Sequence, residues 1–242
     1  EQLRGLLQEY AVLGEEGLWK NVEKFLKKVI PVAREVGINM AIHPDDPPVY
    51  PMAGVPRCVF GSFEGYKKAL EIAVTAAKER GLDLVLATTG GGTVPVALEL
   101  AEKLGYTGKI VAVTHCFGSR EKGKNILEPE KMQAFREAGV VVVTAAHALS
   151  GAERGLSKKF SGIYPVEIVA NTLKMLGQGT KVCVEIAMMA LDNGAIDYGK
   201  QIIAVGGSGR GADTVCRLTP EYTADLMGTK IHEILCKPGL EG

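Results

Sequence analysis

The chain has 242 residues, long enough for one large α/β domain or two modest ones with a self-sufficient core. Its 28 basic and 28 acidic residues cancel, which removes the electrostatic footprint of a nucleic-acid binder, and its 46% hydrophobic content is ordinary for a globular protein. Cys58, Cys116, Cys183, Cys216 and Cys236 are scattered, odd in number and free of CxxC spacing, which argues against a disulfide framework or a zinc cluster and fits a reducing cytoplasm.

The first residues, EQLRGLLQEY, lack the basic, apolar and cleavage regions of a leader, and no apolar run reaches bilayer length, so no membrane partner is expected. Residues 16–36 place Leu18, Val22, Phe25, Leu26, Val29 and Val32 at helical spacing, with a kink expected near Pro31. Gly37 stops this helix, and INMAIH at 38–43 reads as a strand. The five prolines of 44–56 then forbid helix and central strand alike. From Ser62 to Arg80 a helical stripe returns through Tyr66, Leu70, Ala73, Val74 and Ala77, closed by Gly81. This stripe should share a core with Leu84 and Leu86, or with Val85 on the other face of the next strand.

Strand and helix then alternate: strand 82–87, helix 94–104, strand 109–114, helix 129–138, strand 140–145, helices 165–176 and 180–192, and strand 201–205. Short apolar strands separated by helices predict a mostly parallel sheet in a three-layer α/β/α sandwich. The segments 214–220 and 230–238 follow a Gly-rich turn and read as antiparallel edge strands.

The junction LVLATTGGGTVPVALEL, 84–100, is a strand, a phosphate-sized loop and a helix start. Gly90, Gly91 and Gly92 let backbone N–H groups converge, Thr88, Thr89 and Thr93 offer hydroxyls, and the helix N-terminus adds unpaired donors and partial positive charge. An anion suits it; a flexible turn with a Thr N-cap is the alternative. On this reading Gly91 can be replaced by a bulky acidic residue with loss of binding and an intact fold. Four more polar loops have the same character: 114–120 with Thr114, His115 and Gly118; 145–151 with His147, Ser150 and Gly151; 177–181 with Gly179, Thr180 and Lys181; and 206–213 with Gly207, Ser208, Gly209 and Arg210. In open α/β sheets such loops gather outside the carboxyl ends of the strands and build one site.

His115 and His147 could donate protons to a phosphate or a flavin carbonyl, or make local hydrogen bonds. Arg210, between two glycines, suits bidentate phosphate pairing, or is a solvated hairpin arginine. Ser150 lacks a GxSxG elbow, Cys116 is a packed thiol or a thiolate beside an imidazolium, and Lys181 with Glu185 most simply makes an i, i+4 pair. His43 precedes Asp45 and Asp46, which point apart in an extended loop, so no metal is expected there, and with no nucleophile or substrate identified beside His115 or His147 no catalytic residues are expected either.

The motifs TTGGGT at 88–93, VTHCFG at 113–118, TAAHALSG at 144–151, PVEIVANTL and GQGTKVCVEIA within 162–194, and VGGSGRGADT at 205–214 resemble the carboxy-terminal α/β domain of pyruvate kinase and its stand-alone relatives. That resemblance implies an effector phosphate at a loop like Thr88–Thr93, or flavin mononucleotide (FMN) in a site built from the strand-end loops. It implies no phosphoryl transfer, since that chemistry belongs to a barrel domain not found in this sequence. By contrast, residues 18–48, with HPDDPP, and 50–73 resemble mannonate dehydratase, a metal-dependent barrel enzyme in which the histidine matched by His43 is a metal ligand. The allegiance changes after about Ala73, inside one helix. The expectation is therefore an engineered fold chimera, with a natural fusion as the alternative origin: a barrel fragment, 1–74, joined to a pyruvate-kinase-like domain, 75–242, that binds a small-molecule phosphate ligand in the cytoplasm, either alone or as a homo-oligomer. A flavin- or metal-dependent enzyme is the alternative.

Overall fold

The computed structural model describes residues 63–208 and 211–238, and positions 17, 20, 21, 23–25, 27–29, 31 and 32, all eleven of them helical. Contacts divide the chain into two compact units, residues 1–64 with 239–242, and residues 65–238. In the first unit Pro31 and Val32 are both helical, and Phe25 and Val32 of the expected apolar stripe are exposed. The strand 38–43, the proline-rich loop and His43 lie outside the described residues.

Helix α1 (Phe63–Arg80), part of the second unit from Gly65 on, leads through Gly81 into β1 (Asp83–Ala87). The chain continues through α2 (Thr93–Leu104), β2 (Ile110–Val113), α3 (Pro129–Glu137), β3 (Val141–Val143), α4 (Ala152–Phe160), α5 (Pro165–Lys174) and α6 (Gln178–Asp192). It closes with β4 (Ile202–Ser208), β5 (Gly211–Thr219), a 3-10 turn at Thr223–Gly228 and β6 (Lys230–Cys236). The six strands form one mixed sheet in the order β3-β2-β1-β4-β5-β6. Strands β3, β2, β1 and β4 are parallel, and β5 and β6 add antiparallel to one side, as the sequence led us to expect.

The central strands are continuous apolar runs because both their faces are covered. On one face Leu84 and Leu86 of β1 pack with Leu70, Ala73, Val74 and Ala77 of α1 and with Val94 and Ala97 of α2. On the other, Val85 joins Val111, Ile202 and Ala204 beneath α6, whose residues Ile186, Ala187, Met188 and Ala190 are buried. The stripe on α1 thus selects Leu84 and Leu86 and leaves Val85 to the opposite core. Residues 65–74, assigned from sequence to the barrel-like segment, supply Ala69, Leu70, Ala73 and Val74 to the first core, all fully buried.

Helix α4 was not expected. Its nine residues bury no side chain. It is instead tied to the next helix by polar contacts, with Val166 N–H donating to Glu153 Oε2 at 2.8 Å and Ser157 Oγ donating to Glu167 Oε1 at 2.7 Å.

Candidate functional site

The strand order reverses between β1 and β4: from β1 the chain moves outward to β2 and β3, then returns to β4 on β1's other side. A crevice outside the carboxyl ends of β1 and β4 is where ligands of open α/β sheets bind. The β1–α2 loop lies there. Thr88 N–H donates to Val113 O at 2.9 Å and Thr114 N–H to Val143 O at 2.9 Å, so Thr88, Thr114 and the residues after them continue neighbouring strand ends. Thr114 Oγ1 is paired with Thr144 Oγ1 at 2.7 Å. Thr88 differs: it is 4% exposed, and its Oγ1 is the one buried side-chain polar atom among the described residues with no hydrogen-bond partner.

Beyond Thr88, Thr89, Gly90 and Gly92 are exposed and Thr93 is buried. Gly92 is the N-cap of α2 and provides no side-chain cap. Pro95 has no N–H, so the donors of this helix start belong to Gly92, Thr93 and Val94. Gly91 is buried at φ +90°, and a Cβ there would sit 2.9 Å from Leu127 Cδ1 and 3.2 Å from Phe135 Cζ. The expectation that a bulky acidic residue at Gly91 spares the fold is therefore corrected: backbone and core both resist it.

Tyr66 joins this loop unannounced by the sequence, which marked it only as part of a core stripe. Its hydroxyl donates to Gly92 O at 3.2 Å, and its ring lies 3.2 Å from the place a Cβ on Gly211 would take. It thus bridges the β1–α2 loop and the start of β5. Burial raises the phenol's pKa, against a hydrogen bond with Thr93 that lowers it.

A second polar cluster occupies the ends of β2 and β3. Glu185 of α6, almost fully buried, accepts Leu149 N–H at 2.9 Å and Ser150 Oγ at 3.0 Å on Oε1. Its Oε2 takes Lys181 Nζ at 2.5 Å and lies 3.5 Å from His147 Nδ1. Burial pushes the Glu185 carboxyl up, but the His147 and Lys181 contacts outweigh it and hold the pKa at about 2. Burial lowers Lys181, against the attraction of Glu185. His147 Nε2 accepts Cys116 N–H at 3.3 Å, and the His115 and His147 ring centroids are 4.4 Å apart. Burial, then the neighbouring His147, push His115 below its usual range.

The remaining sequence-selected residues divide between structural and open roles. Gly118 N–H donates to Lys124 O at 2.9 Å and closes the loop after β2, and Gly151 is the N-cap of α4. Thr180 Oγ1 donates to Leu176 O at 3.0 Å. Gly179 lets α6 press onto β5, since a Cβ there would lie 2.0 Å from Thr214 Oγ1 and 3.0 Å from Asp213 Oδ1. The chain's own carboxylate therefore stands beside that helix start. Gly207 and Ser208 end β4, with Ser208 opposite Gly211. Gly209 and Arg210 lie outside the described residues.

A cavity of about 440 Å³ opens at the opposite edge, beside Tyr106, Gly108, Ile110 and Val140. Glu99 and Glu102 line it, which disfavours an anion, so the uncapped helix start is the better candidate. An apolar cavity of about 310 Å³ lies between α5, α6 and the 3-10 turn.

Comparison with known proteins gives two families. The D-mannonate dehydratase family matches residues 1–128. The pyruvate kinase alpha/beta domain family matches residues 67–216, overlapping the first over 67–128. The chain is 49% identical over 61 residues to the mannonate dehydratase of Streptococcus uberis, a match covering 25% of this chain and 17% of that protein. With mannonate dehydratase 2 of Halalkalibacterium halodurans it is 52% identical over 59 residues, covering 24% and 17%. With the mannonate dehydratase of Oceanobacillus iheyensis it is 40% identical over 82 residues, covering 34% and 22%. The matches thus span about a fifth or less of these relatives. No described helix is long and apolar enough to cross a membrane. The chain belongs to the pyruvate kinase alpha/beta domain family over residues 67–216 and to the D-mannonate dehydratase family over residues 1–128.

Proposed function

We propose that this protein binds a phosphate-bearing small molecule through the β1–α2 loop, Thr88–Thr93. FMN is the first ligand to test and sugar phosphates the second. The observation that carries the reading is the Thr88 hydroxyl, buried at the base of the loop with no partner. Leaving such a group unsatisfied costs about 1–3 kcal/mol, and a phosphate oxygen would recover it once the loop residues that cover the hydroxyl move aside. An uncapped helix start adjoins it at the switch point of the sheet, so charge and position favour an anion. These residues suit the phosphate end of FMN. Thr89, Gly90, Gly92 and Thr93 would line the anion, and the partly exposed Gly207 and Ser208 would approach from β4.

The N-terminal segment, 1–74, is on this reading structural, and the chain is an engineered fold chimera joined within α1. Support comes from the overlap of the two family matches across α1, β1, α2 and β2, elements that both families accommodate. Turnover of mannonate is not expected of a stretch matching about a fifth or less of those enzymes. The unpaired Cys116, Cys183, Cys216 and Cys236 suit the cytoplasm.

Fluorescence titration with FMN tests the proposal. We expect saturable quenching that inorganic phosphate and a sugar bisphosphate reverse by competition. FMN binding indifferent to both would place the flavin elsewhere. No binding of any phosphate compound would remove the proposal.

A further inference from the structure

We propose that His115, Cys116 and His147 form a zinc site, with Glu185 orienting His147 and a fourth position left for water or a ligand. This inference does not rest on the phosphate reading. Spacing alone does not single these residues out as one metal site, because two of them are adjacent and the third is 31 positions away in another loop. The fold brings them together: one ligand atom from each, two imidazole nitrogens and the thiol sulfur, lies within 4.8 Å of the others.

The spacing suits a shared ion. Bonds of about 2.3 Å to sulfur and about 2.0–2.1 Å to nitrogen at a tetrahedral angle put the two ligand atoms about 3.6 Å apart. Cys116 Sγ and His115 Nδ1 are 3.6 Å apart. The same distance suits a weak thiol hydrogen bond, and the metal would take the place of that proton. On His147, Nδ1 faces Glu185 Oε2 at 3.5 Å, leaving Nε2 to present its lone pair toward Cys116. The backbone N–H of Cys116 reaches Nε2 at 3.3 Å, a long bond that a metal would displace.

A carboxylate behind a ligating histidine fixes its tautomer and raises its basicity, and such outer partners are worth about 10–100-fold in affinity. Glu185 is well suited to this role because Lys181, Leu149 N–H and Ser150 hold it in place. All three ligand residues are half-buried, so solvent can reach the fourth position. Two imidazoles and a thiolate select zinc over magnesium or calcium. Binding replaces the Cys116 S–H bond with a sulfur–zinc bond and releases that proton to buffer.

The test uses the full chain after dialysis against a chelator. Calorimetric titration with Zn²⁺ should give one equivalent at micromolar or tighter Kd, and repeating it in buffers of different ionisation enthalpy should report about one proton released. Titration with Co²⁺ should give tetrahedral visible bands and a thiolate-to-cobalt charge-transfer band in the near ultraviolet. Cys116→Ser, nearly isosteric and at a half-exposed position, should abolish the charge-transfer band and weaken Zn²⁺ at least tenfold, with circular dichroism unchanged. His147→Ala should weaken Zn²⁺ similarly while keeping a thiolate band at higher Co²⁺. Absence of one-to-one binding, a charge-transfer band that survives Cys116→Ser, or unchanged affinity in both variants would overturn the site.

Discussion

The β1–α2 loop and the Glu185 cluster sit at the same edge of the sheet and treat buried polar groups in opposite ways. Around Glu185 each carboxylate oxygen has at least two polar neighbours, among them Lys181, Leu149 N–H, Ser150 and His147. In the loop, the Thr88 hydroxyl has none. A satisfied buried network fixes the geometry of its surroundings, and an unsatisfied one marks a place where a partner from outside gains free energy. The difference separates a scaffold for side chains from a receptor for an anion.

Breaking the Glu185 network should have the largest effect. Glu185→Ala leaves Lys181 buried without its counter-charge and should cost about 3–5 kcal/mol in urea unfolding, whereas Lys181→Met with Glu185→Leu should recover much of the loss. The pH dependence has a definite sign. The Glu185 carboxyl is lowered from 4.5 to about 2 in the folded chain, so its contribution is complete above the unfolded value and is lost as pH falls through that window. Urea midpoints measured down this range should fall less steeply in Glu185→Gln than in the parent.

The next effect concerns the join between the two family matches. Leu70→Ala should cost about 2–5 kcal/mol and lower a single cooperative transition of the second unit, since Leu70 is fully buried against Leu84 and Leu86. Unchanged stability would show that α1 is an appendage to that sheet.

Much of this architecture was legible from periodicity, and the reasons are visible residue by residue. The stripe through Leu70 and Ala77 marks α1 because one face of it is buried, and the run from Leu84 to Leu86 marks β1 because both its faces are. Helix α4 escaped because nothing in it is buried and its anchors, Glu153 and Ser157, bond to residues of α5. At the site, the Lys181–Glu185 pair could be read from its spacing of four. The Glu185 contacts to Leu149 and Ser150 could not, being 36 and 35 residues distant. Tyr66 is 26 residues from Gly92, and its place on a helical stripe hid the hydroxyl's reach into the loop. Distance in sequence, more than residue type, hides these contacts.

A smaller effect sharpens the contrast between buried and exposed charge. Arg80 and Arg217 both pair with Glu233, at 2.7 and 3.1 Å, but these side chains are partly solvated. Arg80→Ala should therefore change unfolding free energy by only about 0–1 kcal/mol, and added salt should shrink that change further. A loss as large as that of Glu185→Ala would erase the distinction between the two kinds of ion pair.

The central claim, that Thr88 is left unsatisfied so that a phosphate can satisfy it, is tested most directly by Thr88→Val. The substitution keeps the shape and removes the hydroxyl. Calorimetric titration of parent and variant with FMN, alongside the urea midpoint of each free protein, measures both halves of the claim. We expect a free variant at least as stable as the parent, by up to about 1–3 kcal/mol, with FMN bound about tenfold or more weakly. A variant that loses stability and binds FMN as tightly as the parent would contradict it.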